Sequence, residues 1–238
     1  MLRKTGVGFL LSLVFVLFAY SSAVADTPVF KSNDGKWYGS VNAGVTILND
    51  IGVSGSASGG GYTVTAAFDL TFDEGASFGG AVGYVISDFV RTELALGFEN
   101  IEHDKIKGTV DITSASSTTS ITGEAGITGE IDAFTALANV ILTPLGNKTL
   151  TPLVGAGIGF VDWEDEITGV TVNGVTTAAS GKAEDTDLLV SIMAGLEYTS
   201  SQQVTWAIKY GHMWLNNGKN GVEDAEADNI VANLKIAF

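Results

Sequence analysis

Six charged residues interrupt stretches that are otherwise apolar or small. They are Arg91, Glu93 and Glu99 in "FVRTELALGFENI", Glu197 in "LVSIMAGLEYT", Lys209 in "VTWAIKYGHMW" and Lys235 in "ANLKIAF". An unpaired ion held away from water is strongly destabilising, so such charges must be paired or hydrated. Ion pairs between neighbouring segments are the expected chemistry, Arg91 with Glu93 or Glu99 and Lys209 or Lys235 with Glu197. Two readings follow. The charges form a polar plug, or they form a gate that opens a small conductance when the pairs rearrange.

Catalytic chemistry finds little support. The chain has 2 histidines and no cysteine. His103 stands beside Asp104, and His212 lies close to Trp214 with no serine on the same face of its segment. No set of nucleophile, base and orienting group can be assembled. Phosphate-cradling glycine loops and transition-metal ligand clusters are missing too, so no enzyme activity, cofactor or metal site is assigned. The acidic runs Asp162–Glu166, Glu184–Asp187 and Glu223–Asp228 read as solvated surface. Clustered carboxylates suit hard cations, but none of these runs has EF-hand spacing.

The composition narrows the class. Of 238 residues, 45% are hydrophobic and only 16% charged, with 30 glycines and 3 prolines. Beyond the N-terminus no apolar run approaches the roughly 20 residues that a membrane-spanning helix needs. A net charge of -15 excludes nucleic acid as a partner, since phosphate contacts need clustered Lys and Arg. "MLRKTGVGFLLSLVFVLFAYSSAVAD" has Arg3 and Lys4, an apolar stretch from Gly6 to Ala19, and Ala23-Val24-Ala25 before Asp26. This is the pattern of a secretory signal peptide over 1–25, which leaves 26–238 as one mature domain.

Period-2 alternation dominates that domain and predicts eight strands. Their ranges are Lys36–Leu48, Ala76–Ile86, Phe89–Ile101, Ile131–Leu142, Leu150–Val161, Asp187–Tyr198, Val204–Trp214 and Asn229–Phe238. The connections alternate long and short. "SD", "TPLGNKT" and "TSSQQ" are short, whereas the segments around 49–75, 102–130, 162–186 and 215–228 are long and polar. In an up-and-down barrel the short turns then share one end and the long loops the other, the asymmetry of outer-membrane barrels.

The facing follows from where the charges fall. All six lumen candidates lie on the parity rich in Gly, Ser, Thr and Ala, and the apolar parity of the same strands carries no Asp, Glu, Lys or Arg. A lipid face has to be that clean, because a midplane Arg or Lys costs about 2–4 kcal/mol. Trp37, Tyr84, Tyr198, Trp206 and Phe238 share the apolar parity near the short turns; Phe98, Phe160 and Trp214 share it near the long loops. Two aromatic belts around an aliphatic band form a membrane girdle. His212 falls on this parity as part of it.

The stretches "WYGSVNAGV", "FGGAVGYVISDFVRTELALGFE", "ALANVILT", "LTPLVGAGIGF" and "NLKIAF" resemble the outer-membrane barrel family of opacity-type proteins and OmpA-like transmembrane domains. The resemblance implies an all-β, eight-stranded antiparallel up-and-down transmembrane barrel in the bacterial outer membrane. The terminal Phe238 is similar to the signal that barrel-assembly machinery reads in that family. No peptidoglycan-binding domain follows the barrel, so cell-wall anchoring is not carried over. The expected partners are outer-membrane lipid, the assembly machinery, and host or environmental surface ligands met by the external loops, with the chain a monomer. A structural or surface-interaction role is favoured over a low-conductance, porin-like pore. A third reading is a secreted soluble barrel that binds an apolar ligand, with its apolar parity turned inward.

Overall fold

A computed structural model describes residues 36–146, 149–201, 203–216 and 225–238. The expected leader over 1–25 lies outside them. Ten β-strands account for nearly all of what is described: β1 Trp37–Leu48, β2 Ile51–Gly59, β3 Tyr62–Phe72, β4 Gly75–Ser87, β5 Val90–Ser114, β6 Thr118–Leu142, β7 Leu150–Val172, β8 Val175–Thr199, β9 Val204–Asn216 and β10 Ala225–Ala237. β1, β4, β5, β6, β7, β8, β9 and β10 form an antiparallel ring that β1 and β10 close, with Tyr38 opposite Ala237 and Leu48 opposite Ala227. β2 prolongs β1 past Asn49-Asp50, and β3 leads into β4 across Asp73-Glu74. The ring therefore has eight staves, two of them kinked.

The walls stand taller than the sequence reading expects. Three of the four long polar connections are paired strand rather than open loop. β5 and β6 pair almost to their tips, Thr113 opposite Thr118, and β7 and β8 pair up to Val172 opposite Val175. "DWEDE" and "EDTD" are thus cross-strand neighbours, with Glu164 opposite Glu184 and Glu166 opposite Lys182. At these heights water wets both faces, so no apolar parity marks the strands. The turns carry the missing signal. Asn173 and Gly174, at φ 51° and 78°, sit between β7 and β8, and Gly60 and Gly61, at 60° and 84°, sit between β2 and β3. Two central residues with positive φ match the twist of a tight hairpin, which is why Asn-Gly and Gly-Gly occur there.

Side-chain direction alternates along every stave as expected. Leu94 and Ile208 are 61% and 64% exposed on the outer wall, whereas Arg91 and Glu197 are each 4% exposed inside. Trp37, Tyr198, Trp206 and Phe238 ring one end of the outer wall, and Tyr84 packs on Trp37 at 5.1 Å between ring centroids. Phe78, Phe98, Phe134, Phe160 and Trp214 ring the other end. Leu150 to Phe160 on β7 spans the interval, about 25 Å high at ordinary strand rise and tilt.

One expectation needs correction. β10 begins at Ala225 rather than Asn229, so Glu226 and Asp228 extend the outward parity. That parity is free of acids only below this level. Asn100, Asp132 and Asp162 occur at a similar height, one step beyond Phe98, Phe134 and Phe160 along their strands. Together they mark the edge of the apolar band.

Two outcomes are expected. Leu94→Arg should lower the stability of the chain folded in lipid vesicles by about 2–4 kcal/mol in urea titrations, while Ala95→Ser on the inner face should leave it nearly unchanged. Replacing Asn173-Gly174 by Val-Val should open the β7–β8 tip to proteolysis, because β-branched residues resist positive φ, and leave the barrel's gel migration intact.

Candidate functional site

The inner wall has three levels, set by which residue types point inward from the staves. Nearest the short turns, β1, β5, β8, β9 and β10 project Tyr38, Arg91, Glu93, Glu197, Lys209 and Lys235 toward the axis. Arg91 makes a forked contact with Glu197, Nη1 to Oε2 at 2.8 Å and Nη2 to Oε1 at 2.6 Å. Lys235 Nζ donates to the same carboxylate at 3.2 and 3.4 Å, and Lys209 Nζ lies 3.5 Å from Glu93 Oε1. Glu197 is thereby shared by two cations. This planar fork is the strongest geometry available to an arginine–carboxylate pair.

The partners differ in part from those read from the sequence. Arg91 crosses the lumen to Glu197 rather than turning to Glu93 or Glu99 on its own strand. Glu93 takes Lys209, and Lys235 takes Glu197 as one of the expected alternatives. Residues 91 and 93 are separated by two positions on one strand, so their side chains point the same way without meeting end to end. The lumen is narrow enough for an arginine to reach the far wall, a distance that spacing along the chain does not reveal.

Tyr38 completes this level; being neutral, it does not stand out among the charges of the sequence. Its ring is 1% exposed, with Arg91 Cζ 5.8 Å and Lys235 Nζ 5.3 Å from the centroid. Cations over an aromatic face are attracted by its quadrupole. The ring lies across Gly83, its partner in the β1–β4 register, and a Cβ at Gly83 would collide with it. A glycine is therefore required there by close approach. The alternation of β1, with Tyr38 on the same parity as Ser40 and Asn42, was the available signal.

Above the charges comes a polar level with Asn42, Ser77, Thr135, Asn139, Ser191 and Asn233, around a cavity of about 100 Å³. Glu99 closes its upper end. It is 7% exposed, faces the lumen, and stands apart from the five charges below it. The third level, nearest the long hairpins, is apolar.

On the outer wall, the His212 ring lies 4.3 Å from that of Trp214 in an edge-on contact. It also has an acid partner, Asp228 Oδ1, at 2.7 Å from Nδ1, and Tyr210 donates its hydroxyl to the same oxygen at 2.6 Å. His103 points inward, with Nε2 2.8 Å from Asp165 Oδ1. Among the described residues no group of three or more His, Cys, Asp or Glu is arranged to hold a metal ion.

A closed ring with a lipid-facing apolar band, two aromatic girdles and ions gathered inside defines a class, the eight-stranded transmembrane β-barrel. This is the outer-membrane type of architecture, and the bacterial outer membrane is its location.

No family model and no curated protein matches the chain. Solved structures similar to it include neisserial surface protein A, at 14% identity and a TM-score of 0.43 over 87% of this chain and 99% of that one. The outer membrane protein OprG of Pseudomonas aeruginosa is 13% identical, with a TM-score of 0.43 over 90% and 99%. Ail, the attachment invasion locus protein of Yersinia pestis, is 10% identical, with a TM-score of 0.43 over 85% and 99%. The fold assignment rests on this chain's own strand pairing and wall polarity.

Removing one partner of a buried pair strands the other charge. Glu197→Gln should therefore cost about 3–5 kcal/mol in urea unfolding from lipid vesicles. Arg91→Leu combined with Glu197→Leu should cost clearly less than the two single changes summed, a coupling that a double-mutant cycle measures directly.

Proposed function

We propose that this chain is a monomeric, non-enzymatic outer-membrane protein whose barrel is a closed pedestal for interaction at the cell surface. The observation that carries the reading is the height of β5–β8. Asn100 to Ser114 on β5 extends on the order of 35 Å beyond the outer aromatic girdle at ordinary rise and tilt. A barrel serving only to fill the membrane has no use for such walls. Their tips are rich in Ser, Thr and Gly, and their lower flanks carry Asp162, Glu164, Glu166 and Glu184. Lys182 lies 2.8 Å from Glu164, which holds its ammonium above the usual lysine pKa. The partner in this reading is a host or environmental surface ligand.

The charge level is the plug of this pedestal. Tyr38, Arg91, Val85 and Lys235 leave a space of only about 20 Å³ at that height, barely room for one water. A gate is the second reading, favoured by one feature: Lys209 and Glu93 meet at 3.5 Å, the longest of the pairs. Phe238, exposed at the end of β10 with its N–H donating to Trp37 O at 3.0 Å, serves in our reading as the signal for barrel-assembly machinery.

Trimming residues 106–125 and 167–181 to short turns should leave a barrel that still shows heat-modifiable migration, while cells displaying it lose adhesion to a host-cell monolayer. Undiminished adhesion would count against the surface role. In planar bilayers the intact chain should be silent, and so should Lys209→Met; a conductance that changes with Lys209→Met or Glu197→Gln would favour the gate.

A further inference from the structure

The upper third of the lumen departs from the polar interior of a small membrane barrel. Leu48, Phe72, Ile101, Val161, Leu189 and Met213 turn inward from six different strands and are all at least nine-tenths buried. They surround a cavity of about 290 Å³, close to the lower bound of roughly 300 Å³ for small-molecule sites. If these side chains served only to pack the barrel, they would close on one another as the charge level does. Instead the spaces left between inward side chains grow from level to level, from about 20 Å³ through 100 Å³ to 290 Å³.

The floor of this chamber is chemically distinctive. Glu99 lines both it and the polar level beneath, is 7% exposed, and has no hydrogen-bond or ion partner among the described residues. The other carboxyls and the indole N–H on the chamber wall are already engaged: Trp163 Nε1 donates to Asp187 at 2.7 Å, and Asp165 faces His103. A buried carboxyl without a partner costs free energy that a donor arriving from outside would recover.

The wall around the chamber is also uneven. Among the described residues, β2 pairs only with β3 above the ring, and β8 from Val175 to Asp187 pairs only with β7. Between those two edges the wall is carried by the shorter β9 and β10, whose Leu215 and Ala225 form the chamber rim. The charge level closes the chamber below.

We propose that this chamber is a binding site for a small apolar molecule carrying one hydrogen-bond donor, an amine or hydroxyl that meets Glu99. The apolar part lies against the Leu48–Met213 ring and the donor points down the axis. This goes beyond the surface role of the hairpins and stands or falls separately from it, because it needs only the lumen.

The test uses the full chain folded in lipid nanodiscs, with Trp37, Trp206 and Trp214 changed to Phe so that Trp163 alone reports from the chamber wall. The probes are 4-phenylbutylamine and pentylbenzene, its isostere without the donor. Trp163 emission should change saturably with both, the amine binding about tenfold more tightly, the scale of one hydrogen bond to a charged group. Glu99→Leu should abolish that preference and keep the hydrocarbon affinity. Ala227→Phe, which fills the chamber, should abolish saturation for both probes while heat-modifiable migration persists; Ala133→Leu replaces it should that variant fail to fold. The proposal is overturned if the signal rises without saturation in proportion to probe in the lipid, if the amine preference survives Glu99→Leu, or if both folded filling variants bind as the parent does.

Discussion

Hydrocarbon offers the backbone nothing to bond to, and the rest of this structure follows from that constraint. Each N–H and C=O at membrane depth must find its partner in a neighbouring strand, so the sheet has to close, and β1 meeting β10 is the closure. Once the ring is closed, a period of two residues sends alternate side chains to lipid and to lumen. The choice of face for every charge is then fixed. Arg91, Glu93, Glu197, Lys209 and Lys235 can exist in these strands only because the inward parity offers them one another.

Eight staves leave little room inside, and that scarcity shapes the chemistry of the lumen. Long side chains can reach distant staves, so the ion pairs run across the barrel rather than along a strand: Arg91 on β5 reaches Glu197 on β8, and Lys209 on β9 reaches Glu93 on the opposite stave, β5. Tyr38 fits because Gly83 gives way beside it. The same narrowness makes the wider, apolar outer chamber conspicuous, with Glu99 at the boundary between two unlike environments.

Much of this was legible in the sequence wherever the two faces of a strand meet different solvents. From Val90 to Phe98 lipid lies on one side and a polar lumen on the other, so alternation, facing and girdle could all be read. It became illegible in two places. Above the membrane, "GTVDITSASSTTSITGEAG" meets water on both sides and resembles a loop, although the tight turn at Asn173-Gly174 was a usable hairpin signal in the neighbouring segment. Inside the outer lumen, Leu48, Ile101 and Leu189 are apolar on the inward parity. Their parity was visible, but a chamber requires the convergence of residues some 140 positions apart, which only the closed ring provides.

The absence of cysteine from the chain permits a direct test of the central claim, that the apolar parity faces lipid and the charged parity faces the lumen. Single cysteines placed in turn at positions 93 to 98, spin-labelled in the chain reconstituted in lipid, would report collision with oxygen, which concentrates in hydrocarbon. The account predicts high oxygen accessibility at 94, 96 and 98 and low accessibility at 93, 95 and 97. A flat profile, or one with the peaks at 93, 95 and 97, would contradict it.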